Sequence, residues 1–177
     1  MCHSNEKYQI EYYDTVTSTN DLAREELFHG RVIVADFQTA GRGQRGNIWQ
    51  AEKASSILAT VVFEMSKGEN LTSEKLSLGT AQAIVEELKN IGLEPTIKKP
   101  NDILINGKKI CGILIEVVNG FAIIGFGINI SGYPESLPAT SVENELNENV
   151  ESIDKDKILK NILDNFFNNL IKCWLTI

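Results

Sequence analysis

The chain has 177 residues, 42% of them hydrophobic, with a formal net charge of −7 and a pI near 4.9. That length suits one domain with a real core, while the acidic balance argues against general binding to nucleic acid or anionic membranes, which needs a basic face. No apolar run is long enough to span a bilayer, the polar N-terminus lacks a signal-peptide core, and three widely spaced cysteines (Cys2, Cys111, Cys173) suggest reduced thiols in a cytoplasmic setting rather than a disulfide framework.

Tyr8 to Asp14 reads as a first strand, rich in aromatic and β-branched residues. Thr17-Ser18-Thr19-Asn20 offers N-cap candidates for a following helix whose inner face is Leu22, Ala23 and Leu27, with Gly30 as its stop. Arg31 to Phe37 reads as a buried strand, and Ser56 to Phe63 as another. Ser73 to Ile91 has helical spacing and ends at Gly92. Pro95 to Lys99 suggests an edge segment. Asn106-Gly107 and Asn119-Gly120 each mark a hairpin, because Asn-Gly supplies the positive φ angles of a type I′ turn. Residues Ser131 to Val150 read as loop. Asp154 to Leu175 predicts a long helix, with Ile158, Leu159, Ile162, Leu163, Phe166, Phe167, Leu170, Ile171 and Trp174 as one apolar stripe, best read as core. The expected fold class is α+β, a mainly antiparallel mixed sheet with flanking helices.

The segment from Gln38 to Trp49 carries the most chemical information. Gly41, Gly43 and Gly46 interleave with Arg42 and Arg45, and the stretch holds no carboxylate. Such a loop brings backbone N–H groups near an anion while guanidinium groups clamp it. It matches the dinucleotide fingerprint literally, but three residues separate strand from glycine and no amphipathic helix follows. No Gly-Lys-Ser/Thr makes it a Walker A loop. His3 and His29 are the only histidines, and no zinc-ligand spacing is present.

Further motifs accompany it. Lys98-Lys99-Pro100-Asn101-Asp102 sets two lysines beside a rigid proline. Lys109 to Glu116 places Gly112 inside a strand, where a ligand can approach the backbone. Gly125-Phe126-Gly127-Ile128-Asn129 ends another strand in glycines and a polar tip. With Ser18-Thr19-Asn20 in front, these motifs resemble the catalytic domain of bacterial biotin–protein ligases, over roughly residues 8–145. That family carries Ser-Thr-Asn, Gln-Thr-x-Gly-Arg-Gly-Arg-x-Gly-Arg-x-Trp, Lys-Trp-Pro-Asn-Asp, Lys-x-x-Gly-Ile-Leu-x-Glu and Gly-x-Gly-Ile-Asn in this order. The resemblance implies a fold related to class II aminoacyl-tRNA synthetases.

It also implies an activity: biotin and ATP with Mg²⁺ give biotinyl-5′-AMP, and biotin then passes to a lysine of a biotin carboxyl carrier protein domain. By similarity, Ser18, Thr19, Asn20 and Gln38 hold the biotin ring, with simple helix capping as the alternative for Ser18 or Thr19. Arg42, Gly43 and Gln44 lie over the acyl-phosphate region, and Gly112 admits biotin to the strand backbone. Lys98 bridges the biotin carboxylate and the phosphate; with Arg42 it is the expected catalytic pair. Trp49 is either an adenine stack or a core anchor. Asn101 and Asn129 are candidate ATP contacts, and Asp102 either helps place Mg²⁺ or forms a turn.

The sequence departs from the family pattern at Gln44 and Asn47, where arginines are usual, and at Lys99, where tryptophan is usual. Arg45 is an added cation that either reaches the phosphate or does not. One catalytic domain is expected over residues 1–177, with no N-terminal helix-turn-helix, no DNA binding, and no small C-terminal β-barrel. Pairing of two copies into a homodimer is left open by the resemblance. Two alternatives stand beside the ligase: a non-catalytic binder of biotin or its adenylate, and a relative of lipoate–protein ligase, whose arginine–triple-glycine signature is missing.

Overall fold

The computed structural model describes residues 7–65, 71–134, 137–147 and 152–173, with backbone alone over 169–173. Seven strands form one sheet: β1 (Gln9–Val16), β2 (Arg31–Gln38), β3 (Ser56–Glu64), β4 (Thr96–Lys98), β5 (Asp102–Ile105), β6 (Lys108–Val118) and β7 (Phe121–Asn129). Their spatial order is β1-β2-β3-β7-β6-β5-β4. Only β1 and β2 run parallel; every other pair is antiparallel. The α+β reading is borne out, and antiparallel pairing of β2 with β3 removes the dinucleotide-fold alternative.

Local chemistry explains the turns. Asn106 and Gly107 have φ of 51° and 78°, and Asn119 and Gly120 of 50° and 81°, as the two tight hairpins require. Helix α1 (Thr19–Ala23) is followed in the chain by α2 (Ser73–Asn90), α3 (Val142–Leu146) and α4 (Lys155–Cys173). Thr72 caps α2 by accepting from the Lys75 N–H at 3.2 Å, and Gly92 stops it with a φ of 93°. Asp154 accepts from the Lys157 N–H at 2.9 Å at the start of α4.

Two expectations need correction. The helix expected to run toward Gly30 ends at Ala23, and Arg24 closes it with an N–H bond to the Asp21 carbonyl. Gly30 serves the sheet instead. A Cβ there would sit 2.7 Å from the Lys7 carbonyl oxygen, and its N–H bonds to Val62. The region expected to be loop contains α3, capped by Ser141 through the Asn144 N–H and stopped by Asn147 at a φ of 53°. The tail from Trp174 onward, and the side chains of Leu170 and Ile171, lie outside the described residues.

Strand periodicity divides the sheet into two faces. On β7, Ala122, Ile124, Phe126 and Ile128 join Ile57, Ala59 and Val61 of β3 in a core covered by α2 and α4. From α4, Ile158, Leu159, Ile162, Leu163, Phe166 and Phe167 are all buried there, so the described part of the apolar stripe is core. The opposite face carries α1 over Ile33, Val62 and Ile123, and beyond α1 it is left for the cleft.

Phe167 stacks on Tyr8 at 5.4 Å and tethers α4 to the lead-in of β1. Phe167→Ala should lower the unfolding free energy by about 3–5 kcal/mol, measured by urea denaturation. Arg31 donates to both Glu11 oxygens, at 2.8 and 3.0 Å, and these bonds hold the Glu11 carboxyl below its usual range. Its stabilisation is therefore complete above the unfolded carboxyl value and is lost as pH falls through the lowered folded one. Glu11→Gln should flatten that part of the stability-versus-pH curve.

Candidate active site

Five residues form one continuous cross-strand row: Leu58 on β3, Gly127 on β7, Gly112 on β6, Asp102 on β5 and Lys98 on β4. Four strand spacings of about 4.8 Å make this row roughly 19 Å long. A parallel row runs Thr60, Gly125, Leu114. Three of these positions are glycine, so the middle of the face is bare main chain. This row floors a cleft of about 330 Å³.

At the β2–β3 end, polar side chains are interlocked. Gln38 Oε1 accepts from the Thr19 N–H at 2.7 Å and lies 3.0 Å from the Thr19 hydroxyl. The fully buried Thr60 hydroxyl reaches Thr19 Oγ1 at 2.8 Å and Asn20 Oδ1 at 2.7 Å. Asn20 in turn donates to Glu116 at 2.9 Å. Ser18 occupies the N-cap position of α1, yet its side chain makes no capping bond. Its hydroxyl, on a residue only 2% exposed, faces the cleft without a hydrogen-bond partner among the described residues. The capping alternative therefore fails for Ser18.

The glycine segment arches over the floor. Gly41 is pressed against Trp49: a Cβ there would lie 2.6 Å from the Trp49 carbonyl oxygen. The Trp49 N–H bonds to the Gly41 carbonyl, and the Gly43 N–H to that of Asn47, closing the loop on itself. One turn of 3-10 helix, Gln44–Gly46, lies between, with Arg45 at a φ of 58°. Cavities open on both sides of the arch. Arg42, Gly43, Gln44 and Arg45 line the cleft. Arg42 is bound by acids of the chain itself: Asp21 at 2.5 Å and Glu116 at 3.3 Å. Arg45 has no ion-pair partner among the described residues.

Trp49 lies across the glycine row. Added Cβ atoms would fall 2.5 Å from its ring at Gly127 and 3.0 Å at Gly112. Trp49 thus packs on the sheet and also lines the cleft. Its indole N–H is buried without a hydrogen-bond partner among the described residues.

At the β4–β5 end, Lys98, Asn101 and Asp102 line the same cleft. Lys98 is exposed and has no ion-pair partner among the described residues. The Asn101 side chain donates to the Ile113 carbonyl at 3.2 Å and fixes the turn beside β6. Asp102 pairs with Lys109 at 2.7 Å, and the Lys109 ammonium stands 5.7 Å from the Trp49 ring centre.

Asn129 is the exception among the expected residues. It is 3% exposed, donates to the Thr140 carbonyl at 3.0 Å, and does not line the cleft. Its committed amide explains the difference: it braces the chain entering α3. Lys109, Thr60 and Glu116 were not assigned roles from sequence. Lys109 and Glu116 bound the strand motif already noted, and their spacing was the available signal. Thr60 had none, since a β-branched hydroxyl in a strand is unremarkable. Gly125 also acquires a reason, because a Cβ there would sit 2.2 Å from Asn20 Oδ1.

Behind Gly112, burial pushes the Cys111 thiol far above its ordinary value, so it is no nucleophile. Among the described residues, no group of three or more His, Cys, Asp or Glu could hold a metal ion. Nor is any described helix long and apolar enough to cross a membrane.

Comparison with known proteins gives the same picture. A family profile described as "Biotin/lipoate A/B protein ligase family" matches residues 12–130. The "Bifunctional ligase/repressor BirA" of Bacillus subtilis is 33% identical over 168 aligned residues, covering 86% of this chain and 50% of the relative. The "Biotin--[acetyl-CoA-carboxylase] ligase" of Mycobacterium tuberculosis is 32% identical over 140, covering 76% and 52%. The chain therefore spans about half the length of the curated relatives it matches. Among solved structures, biotin protein ligase from Aquifex aeolicus in complex with biotin and ATP superposes with a TM-score of 0.85 at 26% identity, over 94% of this chain and 72% of that one. The chain belongs to the biotin/lipoate A/B protein ligase family.

Proposed function

We propose that this domain activates biotin with Mg²⁺–ATP and transfers it to a lysine of a biotin carboxyl carrier protein. A biotin carboxylate oxygen attacks the α-phosphorus of ATP, and the bond to pyrophosphate breaks. The product is biotinyl-5′-AMP. The carrier amine then attacks the acyl carbon, loses a proton, and AMP leaves. The Mycobacterium tuberculosis relative is a biotin--[acetyl-CoA-carboxylase] ligase, and the Aquifex aeolicus biotin protein ligase was solved with biotin and ATP.

One observation carries the reading. A single glycine-floored cleft has hydroxyls and amides at one end, lysines at the other and the arginine-bearing arch between them. Ser18, Thr19 and Gln38 suit a neutral ring that both donates and accepts hydrogen bonds. Gly112 and Gly127 let the Trp49 ring lie against the sheet, where it forms a wall for a ligand chain. Arg42, Arg45, Lys98 and Lys109 suit the meeting point of two anions, a carboxylate and a triphosphate. Holding those anions together offsets their repulsion and places the attacking oxygen in line. Mg²⁺ enters with ATP as the counter-ion of its phosphates. Asp102 is the one carboxylate among the described residues that line the cleft, and its pairing with Lys109 makes it a partner of that lysine rather than a metal cage by itself.

The roles divide accordingly. Lys98 bridges the carboxylate and the phosphate. Arg42 leaves Asp21 and Glu116 to meet the phosphate. Arg45, one place beyond Gln44, supplies the charge that Gln44 lacks. Trp49 offers its ring face to a base. Asn101 holds the turn that presents Lys98 and Asp102. Asn129 contributes through the architecture behind the cleft. The catalytic domain is the functional unit of residues 1–177.

Incubation with biotin, Mg²⁺–ATP and a carboxyl carrier domain should release pyrophosphate and add the mass of one biotinyl group to the carrier lysine. Binding of biotin without pyrophosphate release would instead assign a non-catalytic binder, and lipoate in place of biotin the sister activity. Lys98→Ala and Arg42→Ala should each reduce the rate of pyrophosphate release by about 100- to 1,000-fold, read in a steady-state assay with biotin saturating.

A further inference from the structure

The proposed chemistry leaves one largely enclosed carboxylate without a task. Glu116 stands on the cleft face of β6, two residues past Leu114, with a side chain 18% exposed. Asn20 Nδ2 donates to it at 2.9 Å and Arg24 at 2.5 Å, and Arg42 stands 3.3 Å from each oxygen. We propose that Glu116 is a positioning residue: through Asn20 and Thr60 it sets the hydrogen-bond polarity of the cleft's hydroxyl end, so that Thr19 meets the ligand as an acceptor. Only the ligand arm of its test rests on the biotin reading.

Donor and acceptor counts fix the polarity of this network. An ionised carboxylate only accepts, so the Asn20 amide must turn its NH₂ toward Glu116. Its oxygen then faces Thr60, and the 2.2 Å separation between Asn20 Oδ1 and a Cβ at Gly125 shows how closely the amide is seated. The Thr60 hydroxyl carries a single proton and is fully buried. An amide oxygen cannot donate, so that proton goes to Asn20. Thr60 then has only lone pairs to offer Thr19, 2.8 Å away. Thr19 spends its own proton inside the protein, on Thr60 or on Gln38 Oε1 at 3.0 Å. Its oxygen accepts from nothing in the chain, and with Thr60 and Gln38 Oε1 against two of its three free directions it turns one lone pair to the cleft. Were the Asn20 amide reversed, Thr60 would donate to Thr19 and free the Thr19 proton to turn toward the ligand.

A cleft end of this polarity fits a ligand that presents an N–H, as a cyclic urea does. The Gln38 amide is fixed in the complementary sense: its oxygen accepts from the Thr19 N–H, and the NH₂ left over is a donor that suits the urea carbonyl. Glu116 also touches Arg42, so one carboxylate spans the neutral end and the anion-binding arch. Arg24 stays on Glu116 when Arg42 leaves, and the carboxylate is not stranded without a counter-charge.

Two variants and two readouts test this. Glu116→Gln keeps the shape but allows the opposite amide polarity; Thr60→Val breaks the relay without altering charge. By calorimetry with the methyl ester of biotin, which has the urea but no carboxylate, each variant should bind about five- to ten-fold more weakly. The double variant should be no weaker than the worse single one, because both remove the same relay. Ester binding unchanged in Glu116→Gln, or losses that multiply, would overturn the proposal. In the ligand-free protein, the Thr60 hydroxyl and Asn20 side-chain amide resonances should shift together in Glu116→Gln. A Thr60 hydroxyl resonance indifferent to that change overturns the relay independently of ligand. If the wild-type protein fails to bind the ester, the biotin reading falls, and the resonance measurement still decides the relay.

Discussion

Antiparallel pairing of β6 with β7 sets Gly112 opposite Gly127 and Gly125 opposite Leu114, and the rest of the cleft depends on that register. Side chains alternate across a strand, so a shift of one residue would carry these glycines to the core face and Ile113 or Phe126 to the cleft. The core prevents it. Phe126, Ile128, Cys111 and Ile113 are buried together beneath α2 and α4, and their burial holds the bare row on the other side.

From that row the two ends of the cleft take their character by strand order. Strands β2 and β3 bring Gln38 and Thr60, over which α1 lays Thr19 and Asn20. Strands β4 and β5 bring Lys98 and Asp102. Neutral donors and acceptors are thus kept apart from ammonium groups by about the width of the glycine row. The arch from Gly41 to Trp49 crosses between them, and its arginine is balanced by Asp21 and Glu116. Arg42 and Asp21 are both half-exposed, so that pair is held weakly enough to exchange for a ligand phosphate.

Much of this was legible in sequence. Alternating strands, Asn-Gly turns and the stripe of α4 follow from local periodicity, and the motif residues, Asn129 aside, converge on one cleft. What escaped had non-local causes. Helix α1 stops at Ala23 because the chain must return through Gly30 to meet β1, a contact between residues that no local pattern encodes. Asn129 sits in a motif of cleft residues, yet its amide is drawn to Thr140, eleven positions on. Thr60 is chemically ordinary in its own strand; its importance comes from Asn20 and Thr19, forty residues earlier. Lys109 became visible as a cleft residue only once β5 placed Asp102 beside it.

A binding surface made of main chain has an evolutionary consequence. The atoms of that floor are peptide groups, identical whatever residues neighbour them, so point mutation cannot exchange one for another. At Gly112 and Gly127 substitution can only add bulk, into space that Trp49 already fills. Drift toward a different small molecule must then be sought in the walls, at Ser18, Gln38, Gln44 or Lys99, while the floor stays constant. Divergent members of such a lineage should accordingly change what they select well before they change where it lies.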